Sequence, residues 1–311
     1  MITTKKLSKT FTRFEKEAGL KGSFKSLFRR KYIQKHAVTD FDLEIAKGEC
    51  VGLIGENGAG KTTLIKMLTG IIAPTGGEVS VLRFTPNKLE NAFKKRYAVV
   101  MGQKSQLFFE LSAADTFLLF KELYDIPKEE FEKTRDELVD LFGVRDLLNV
   151  QVRTLSLGQR MKMELIAALL HNPEILFLDE PTIGLDAISQ RQIRAFLKKI
   201  NKTRGTTILL TSHYMQDIQS LCKRVVVIAE GKKVYDGGLD ELIATHRVFK
   251  KITVSYADGE PEKRKVDKAD VKRTLEELIG KGEVIDISVE EEDIALVVER
   301  IYEEAHHAQI P

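Results

Sequence analysis

A glycine-rich stretch of nine residues, GENGAGKTT at 55–63, constrains the fold of this 311-residue chain more than any other feature. It follows the apolar run VGLI and precedes LIKML, so it predicts a loop between a buried strand and a helix. Glycines let such a loop turn its backbone N–H groups inward, and the helix N-terminus adds about half a positive charge. Because a lysine lies beside them, we expect a negatively charged ligand.

The loop also matches the phosphate-binding pattern G-x-x-x-x-G-K-[ST], with the strand and the helix in the required places. Lys61 is placed to neutralise the β and γ phosphates of a nucleoside triphosphate. Thr62 offers a hydroxyl to Mg²⁺, a cation that prefers oxygen ligands. We therefore predict nucleotide contacts from the whole loop: Gly55, Glu56, Asn57, Gly58, Ala59, Gly60, Lys61, Thr62 and Thr63.

Two acidic residues, Asp179 and Glu180, follow the apolar run ILFL. A carboxylate at the end of a buried strand can reach the magnesium, so Asp179 is a predicted metal ligand. Glu180 would lie beside the γ-phosphate, where a carboxylate orients or deprotonates the attacking water. The alternatives are that Glu180 is a solvated loop acid, or that the pair caps a helix.

Strand and helix patterns alternate along most of the chain, which predicts an α/β fold with a largely parallel sheet. Between 88 and 172 helical periods dominate, and they predict a helical subdomain inserted into this fold. After 243 the pattern changes to a small α+β unit in the order β-α-β-α. We therefore divide the chain into one domain at 1–243 and an accessory domain at 244–311.

The composition predicts a globular chain and argues against a disordered, membrane-spanning or secreted one. Hydrophobic residues make up 43% and charged residues 31%, which is typical of a globular chain and not of a disordered one. No apolar run approaches the roughly 18 residues of a membrane span, and the N-terminus lacks the apolar region of a secretory signal. Cys50 and Cys222 lie in apolar, strand-like contexts, so we expect buried free thiols.

The N-terminal segment is strongly basic. Residues 1–36 carry eleven Lys or Arg and two Glu, whereas the whole chain has a formal net charge of +3. This excess predicts contact with lipid headgroups or nucleic acid, and a solvated arm is the alternative. Within a basic insertion at 12–36, Phe24, Leu27 and Phe28 recur at helical spacing. The pattern favours an amphipathic helix that contacts anionic lipid or a membrane partner, and a loop packed on its own domain is the alternative.

The segment LSLGQ, Leu155–Gln159, lies ahead of ILFLDEPT and resembles the signature motif of ABC-type ATPases. Other motifs of that family follow in the expected order. Gln103 resembles the Q-loop glutamine, Gly184-Leu185-Asp186 resembles the D-loop, and His213 in LLTSHY resembles the switch histidine. The resemblance covers residues 1–240 and is greatest for the ATPases of type-2 ABC exporters, which include drug-resistance-like and sodium-extrusion-like proteins.

The resemblance implies a P-loop NTPase fold of ABC type that hydrolyses ATP with Mg²⁺. It implies a homodimer in which two copies sandwich two ATP molecules head to tail, with the P-loop of one copy facing LSLGQ of the other. Leu157 stands where the family usually has glycine, but its backbone N–H remains. The resemblance assigns further contacts to the nucleotide, the metal or the attacking water: Gln103, Ser156, Gly158, Gln159, Asp186 and His213. An adenine-stacking aromatic is expected at Phe11, with Tyr32 as the second candidate.

The resemblance also implies partners. An ATPase of this kind lies at the cytoplasmic face of the membrane and drives export through a separately encoded permease. The surface around KSQLFFELSAADTFLLF would receive the permease, and core packing is the alternative for Phe108 and Phe109. The alternative function is that of a soluble ABC ATPase acting on RNA or the ribosome. The chain carries one ATPase unit, so we favour the exporter and expect no nucleic acid.

Overall fold

The computed structural model describes residues 1–15, 31–102, 104–212, 214–245, 249–291 and 294–307. The chain forms two compact units, Met1–Asp236 and Gly237–Pro311. The second unit begins before the predicted boundary after residue 243, because the helix Leu239–Thr245 groups with it. None of the described helices combines the length and the apolar character needed to cross a bilayer.

A largely parallel sheet forms the centre of the first unit. Its strands are β3 Cys50–Ile54, β5 Tyr97–Met101, β6 Ile175–Asp179, β7 Thr207–Thr211, β8 Arg224–Ala229 and β9 Lys232–Gly238. They lie in the order β5-β6-β7-β3-β8-β9, and the neighbours from β5 to β8 run parallel. The central strands are buried along almost their whole length, which explains their continuous apolar sequences. The predicted α/β fold is confirmed.

Helices follow the strands as expected for a parallel sheet. In the first unit they are α1 Lys61–Leu68, α2 Asn91–Lys94, α3 Ala113–Leu123, α4 Lys128–Phe142, α5 Leu157–Leu169, α6 Ala187–Arg204 and α7 Met215–Leu221. Short 3₁₀ turns occupy Pro86–Lys88, Arg145–Leu147 and Val152–Thr154. The predicted helical segment is wrong at its start, because Tyr97–Met101 forms β5 and pairs with β6 in the main sheet. The short continuous apolar run YAVVM was the signal for this strand.

A second, antiparallel sheet has the order β2-β1-β4, with β1 Ile2–Glu15, β2 Lys31–Ile45 and β4 Gly76–Val81. Both ends of the predicted basic insertion belong to this sheet, since Thr12 pairs with Gln34 and Glu15 pairs with Lys31. The insertion at 12–36 is therefore partly an extension of β1 and β2. The predicted amphipathic helix around Phe24, Leu27 and Phe28 lies outside the described residues.

The second unit has its own three-stranded antiparallel sheet, in the order β11-β10-β12. Its elements are α8 Leu239–Thr245, β10 Lys250–Tyr256, β11 Glu262–Val266, α9 Val271–Ile279, β12 Val284–Glu291 and α10 Ile294–His307, with a 3₁₀ turn at Lys268–Asp270. The predicted order β-α-β-α omits β11, whose sequence EKRKV is almost entirely charged. β11 is an edge strand with exposed charged side chains, so it lacks the apolar alternation of a half-buried strand.

A half-buried histidine, His171, lies between α5 and β6. The ring of His171 stacks on Tyr124 with centroids 3.9 Å apart, and its Nε2 lies 3.1 Å from the carbonyl oxygen of Tyr97. Its Nδ1 is buried with no hydrogen-bond partner among the described residues. A charged imidazole would leave a buried N–H unpaired, and burial lowers the pKa of His171 to about 4.

This burial predicts a pH-dependent loss of stability. His171 takes up a proton in the unfolded chain near pH 6.5 but in the folded chain only near pH 4. Its contribution is therefore complete above pH 6.5 and is lost as the pH falls toward 4, at up to about 1.4 kcal/mol per pH unit. H171F keeps the aromatic stack and has no titratable ring. Denaturant unfolding at several pH values gives the free energy of unfolding as a function of pH. Below pH 6.5 this free energy should fall less steeply with falling pH in H171F than in the wild type. Equal pH dependence in the two proteins would refute the assignment.

Candidate nucleotide site

The predicted phosphate loop joins β3 to α1, and its backbone requires glycine. Gly60 is the N-cap of α1 with φ of 114°, in the region that residues with a side chain rarely adopt. A Cβ at Gly60 would also lie only 2.3 Å from the carbonyl oxygen of Ala37. Gly60 is therefore required both by its conformation and by the close approach of β2.

Lys61 spans this loop from inside. Its side chain is 5% exposed, and its Nζ donates to the carbonyl oxygens of Gly55 at 2.6 Å and Glu56 at 3.0 Å. Burial lowers the pKa of Lys61, while the carboxylates of Glu180 and Asp179 raise it. The ammonium group is thus held within the loop, where bound phosphates would lie.

Asp179 lies at the end of β6 between two hydroxyl groups. Thr62 Oγ1 donates to its Oδ2 at 2.8 Å, and Thr211 Oγ1 donates to its Oδ1 at 2.7 Å. Thr62 and Asp179 therefore present oxygen atoms to one small region at the start of α1. This donor set fits Mg²⁺, which binds oxygen ligands and usually takes part of its coordination from substrate phosphates.

Glu180 has an unusual backbone conformation. Its φ is 55°, in the left-handed region, and its N–H donates to Thr211, at 3.0 Å to the carbonyl oxygen and 3.1 Å to Oγ1. A Cβ at Gly102 would lie 2.1 Å from the carbonyl oxygen of Glu180, so only glycine fits there. Asp179 and Glu180 border a cavity of about 430 Å³, whose described lining is Asn57, Thr62, Lys66, Met101, Lys104, Asp179, Glu180 and Ile183.

The predicted signature segment begins α5. The Ser156 hydroxyl accepts the N–H of Gln159 at 3.2 Å, and the side chain of Gln159 accepts the N–H of Ser156 at 2.9 Å, which forms a capping box. The N–H of Gln159 is therefore engaged within its own chain, whereas we predicted it as an anion contact. The Ser156 oxygen is the acceptor of this bond, so the bond does not use the hydroxyl hydrogen. A Cβ at Gly158 would lie 2.3 Å from Ser189 Oγ, so α5 packs directly on α6.

The predicted D-loop residue Asp186 caps α6. Its carboxylate accepts from the backbone N–H groups of Ile188 and Ser189 and from the Ser189 hydroxyl, at 3.0, 2.9 and 2.6 Å. The hydrogen bonds from Ser189 lower the pKa of Asp186. Leu157 is 43% exposed, and a Cβ added at Gly184 would lie 3.3 Å from its Cδ2. The side chain that replaces the usual glycine therefore lies over the predicted D-loop.

The two aromatic candidates for adenine stacking lie on opposite faces of the β1–β2 ribbon. Phe11 pairs with Lys35, and Tyr32 lies an odd number of residues from Lys35. Both side chains are exposed, and the Nζ of Lys9 lies 5.3 Å from the centre of the Phe11 ring. One adenine ring therefore cannot stack on both. Gln103 and His213 lie outside the described residues.

Two residues of the site were not predicted from the sequence. Thr211 links Asp179 to the backbone of Glu180, and Gly102 makes room for the carbonyl of Glu180. The signal for Thr211 was a hydroxyl at the carboxyl end of a buried apolar strand, directly after TILL. Gly102 gave no comparable signal, because its close contact joins segments distant in sequence.

Comparison with known proteins identifies the family. The profile of the family described as ABC transporter matches residues 38–183. The ABC transporter ATP-binding protein NatA of Bacillus subtilis is 37% identical over 211 residues, which cover 68% of this chain and 85% of NatA. The chain belongs to the ABC transporter family. The predicted ABC-type ATPase is thereby confirmed, with ATP and Mg²⁺ as the standard ligands of the family.

Other relatives, and a solved structure of a similar protein, support the same family assignment. The linearmycin resistance ATP-binding protein LnrL of Bacillus subtilis is 32% identical over 214 residues, covering 69% of this chain and 68% of LnrL. The Nod factor export ATP-binding protein I of Bradyrhizobium diazoefficiens is 34% identical over 218 residues, covering 70% and 71%. A solved ATP-binding subunit of an ABC transporter superposes with a TM-score of 0.64 at 24% identity, covering 78% of this chain and 92% of that one, and supports the fold. The resemblance to the type-2 exporter branch is confirmed.

Proposed function

We propose that this ABC ATPase hydrolyses ATP as a head-to-tail homodimer and powers export through a separately encoded membrane permease. Similar proteins are named for drug resistance and for Nod factor export, which supports the direction of transport. In this proposal Lys61 and the loop hold the phosphates, Thr62 and Asp179 hold Mg²⁺, and Glu180 orients or deprotonates the attacking water.

One observation carries the proposal of a dimer. The cavity beside Glu180 is lined by residues of the phosphate loop, α1, β5, β6 and the segments that follow these strands, and its described lining contains no residue of Leu155–Gln159. Ser156 is exposed at the N-terminus of α5, where the helix dipole favours an anion. Each copy thus presents two anion-binding features that a second copy can complete.

S156R in the E180Q background should abolish ATP-driven dimerisation while leaving ATP binding to a single copy within about twofold. The long cationic side chain would fill the space that the partner's γ-phosphate needs, and it also removes the hydroxyl donor. Light scattering after size-exclusion chromatography, with and without ATP, measures the association. An ATP-dependent dimer of the double variant would contradict the proposed second half-site.

A matched control is available in α3. Ser112 forms the same kind of capping box, with Asp115, at the start of that helix. S112R therefore disturbs a serine N-cap to a similar degree, about 1 kcal/mol, without touching the signature segment. We expect S112R in the E180Q background to dimerise with ATP as the E180Q protein does.

The proposed permease contact lies on an apolar surface that the fold leaves exposed. Its members come from the segment after β5 and from α3, and they are 40–65% exposed: Phe108, Phe109, Leu111, Leu118, Leu119 and Leu123. The guanidinium group of Arg160 on α5 lies 4.8 Å from the centre of the Phe109 ring. Six exposed apolar side chains within residues 108–123 are typical of an interaction site.

L119D should reduce recovery of the membrane permease with the tagged ATPase at least tenfold, while ATPase activity of the isolated protein stays near that of the wild type. A carboxylate in an apolar contact loses hydration without gaining a partner. I285D, at an exposed isoleucine of the second unit, serves as the control that should retain the permease. Full recovery with L119D would place the permease elsewhere.

The predicted lipid contact and the alternative function on RNA or the ribosome remain predictions. Contact of the basic segment with anionic lipid concerns residues 12–36, most of which lie outside the described ranges. The alternative function on RNA or the ribosome receives no support from the named relatives. Recovery of the protein with ribosomes instead of membranes would favour that alternative.

A further inference from the structure

A buried carboxylate outside the predicted site connects two of its loops. Asp217, in α7, is 1% exposed and accepts three side-chain hydrogen bonds. Its Oδ2 accepts from the hydroxyls of Thr182 and Ser212, the latter at 2.7 Å. Its Oδ1 accepts from Nη1 of Arg194 on α6 at 2.8 Å. The charge is therefore paired with an arginine, and both oxygens have partners.

The two hydroxyls belong to the segments that carry the catalytic features. Thr182 lies two residues after Glu180, and it is 1% exposed. Ser212 directly follows Thr211, which binds both Asp179 and the backbone N–H of Glu180. The hydroxyl of Ser212 also accepts the backbone N–H of Tyr214 at 3.0 Å. Asp217 thus joins the turn after β6 to the turn after β7.

Glu180 needs such support. A residue with a side chain is strained in the left-handed region, and this conformation persists only where its surroundings fix it. On one side Glu180 is held by Thr211, and on the other the chain is anchored through Thr182 to Asp217. The hydrogen bonds at Thr211 and Thr182 therefore fix the backbone of Glu180 and with it the position of its Cβ.

We propose that Asp217 is a positioning residue for ATP hydrolysis, which holds Thr182 and Ser212 so that Glu180 faces the cavity at a fixed distance. The proposal rests on the proposed role of Glu180 as the base or water-orienting group. Asp217 itself touches neither nucleotide nor water in this account, and it acts only through Glu180.

Asparagine is an informative replacement because neither orientation of its amide keeps all three hydrogen bonds that the carboxylate accepts. Oδ1 can accept from the two hydroxyls, but then Nδ2 faces the Nη1 of Arg194, and both are donors. In the reverse orientation Oδ1 keeps Arg194, but the NH₂ group donates, so the two hydroxyls can only accept from it and their own hydrogens lose this acceptor. D217N therefore keeps the size of the side chain and removes the charge that holds both hydroxyls as donors.

The test is a double-mutant cycle on the full chain. We expect D217N to lower kcat for ATP by roughly 10- to 100-fold, with the Kd for ATP within about twofold of the wild type. In the E180Q background, D217N should cause no further loss in single-turnover cleavage, because it acts through Glu180. A matched control is D236N, at a carboxylate that pairs with Arg224 and Lys233 away from the cavity, and it should keep wild-type kcat.

Three outcomes would overturn the proposal: wild-type kcat in D217N, a fall in ATP affinity that matches the fall in kcat, or an equal loss from D217N with and without Glu180. If D217N does not fold, T182V removes one hydroxyl at nearly constant shape, and the same cycle with E180Q applies. Full activity of E180Q would instead refute the role of Glu180 itself, so the two failures are distinguishable.

Discussion

E180Q is expected to lower ATP turnover by about 10²–10⁴-fold while leaving the affinity for ATP nearly unchanged. Glutamine has the shape of glutamate but cannot accept a proton from water. The backbone of residue 180 is held by Thr211 and by the space at Gly102, so the substitution should not alter the loop. The loss therefore falls on the chemical step and not on nucleotide binding.

Steady-state phosphate release and equilibrium ATP binding measure the two quantities separately. E122Q, at an exposed glutamate of α3, is a control that removes one carboxylate elsewhere and should be indistinguishable from the wild type. Turnover of E180Q within a few-fold of the wild type would rule out Glu180 as the base. Weakened ATP binding in proportion to turnover would show instead that Glu180 acts in the ground state.

The local parts of the site could be predicted from the sequence because they depend on neighbours along the chain. The sequence of the loop Gly55–Thr63 and its immediate flanks predicts the strand, the turn and the helix within a few residues. Asp179 was recognisable because a carboxylate ends an apolar run, and Ser156 because Leu155–Gln159 resembles the signature motif of ABC-type ATPases. In each case the local backbone and the functional group are specified by the same few residues.

Features that join distant segments could not be predicted in this way. Asp217 appears in the sequence as one polar residue of an amphipathic helix, and only the fold places it between Thr182 and Ser212. The prediction missed β11 for another reason. An exposed edge strand needs backbone pairing but little apolar surface, so its sequence carries no apolar pattern. The capping box at Ser156 was visible in the sequence, but our prediction used Gln159 only as an anion contact.

K61A should weaken ATP binding by roughly 10- to 150-fold, and turnover at low ATP concentration should fall at least as far. Hydrogen bonds to a charged group contribute about 1.5–3 kcal/mol, and a tenfold change in Kd corresponds to about 1.4 kcal/mol. Nζ donates to the carbonyls of Gly55 and Glu56, so the ammonium group lies within the loop.

K61M separates the charge from the packing. Because Lys61 is 5% exposed, alanine removes buried methylene groups as well as the ammonium, whereas methionine replaces most of that volume. We expect K61M to bind ATP as weakly as K61A. It should unfold at a higher temperature than K61A, because methionine fills most of the buried volume and carries no charge whose burial is unfavourable. Isothermal titration with ATP and thermal unfolding without it measure the two effects. Wild-type affinity in K61M would show that the loop binds phosphate through its backbone and helix dipole alone.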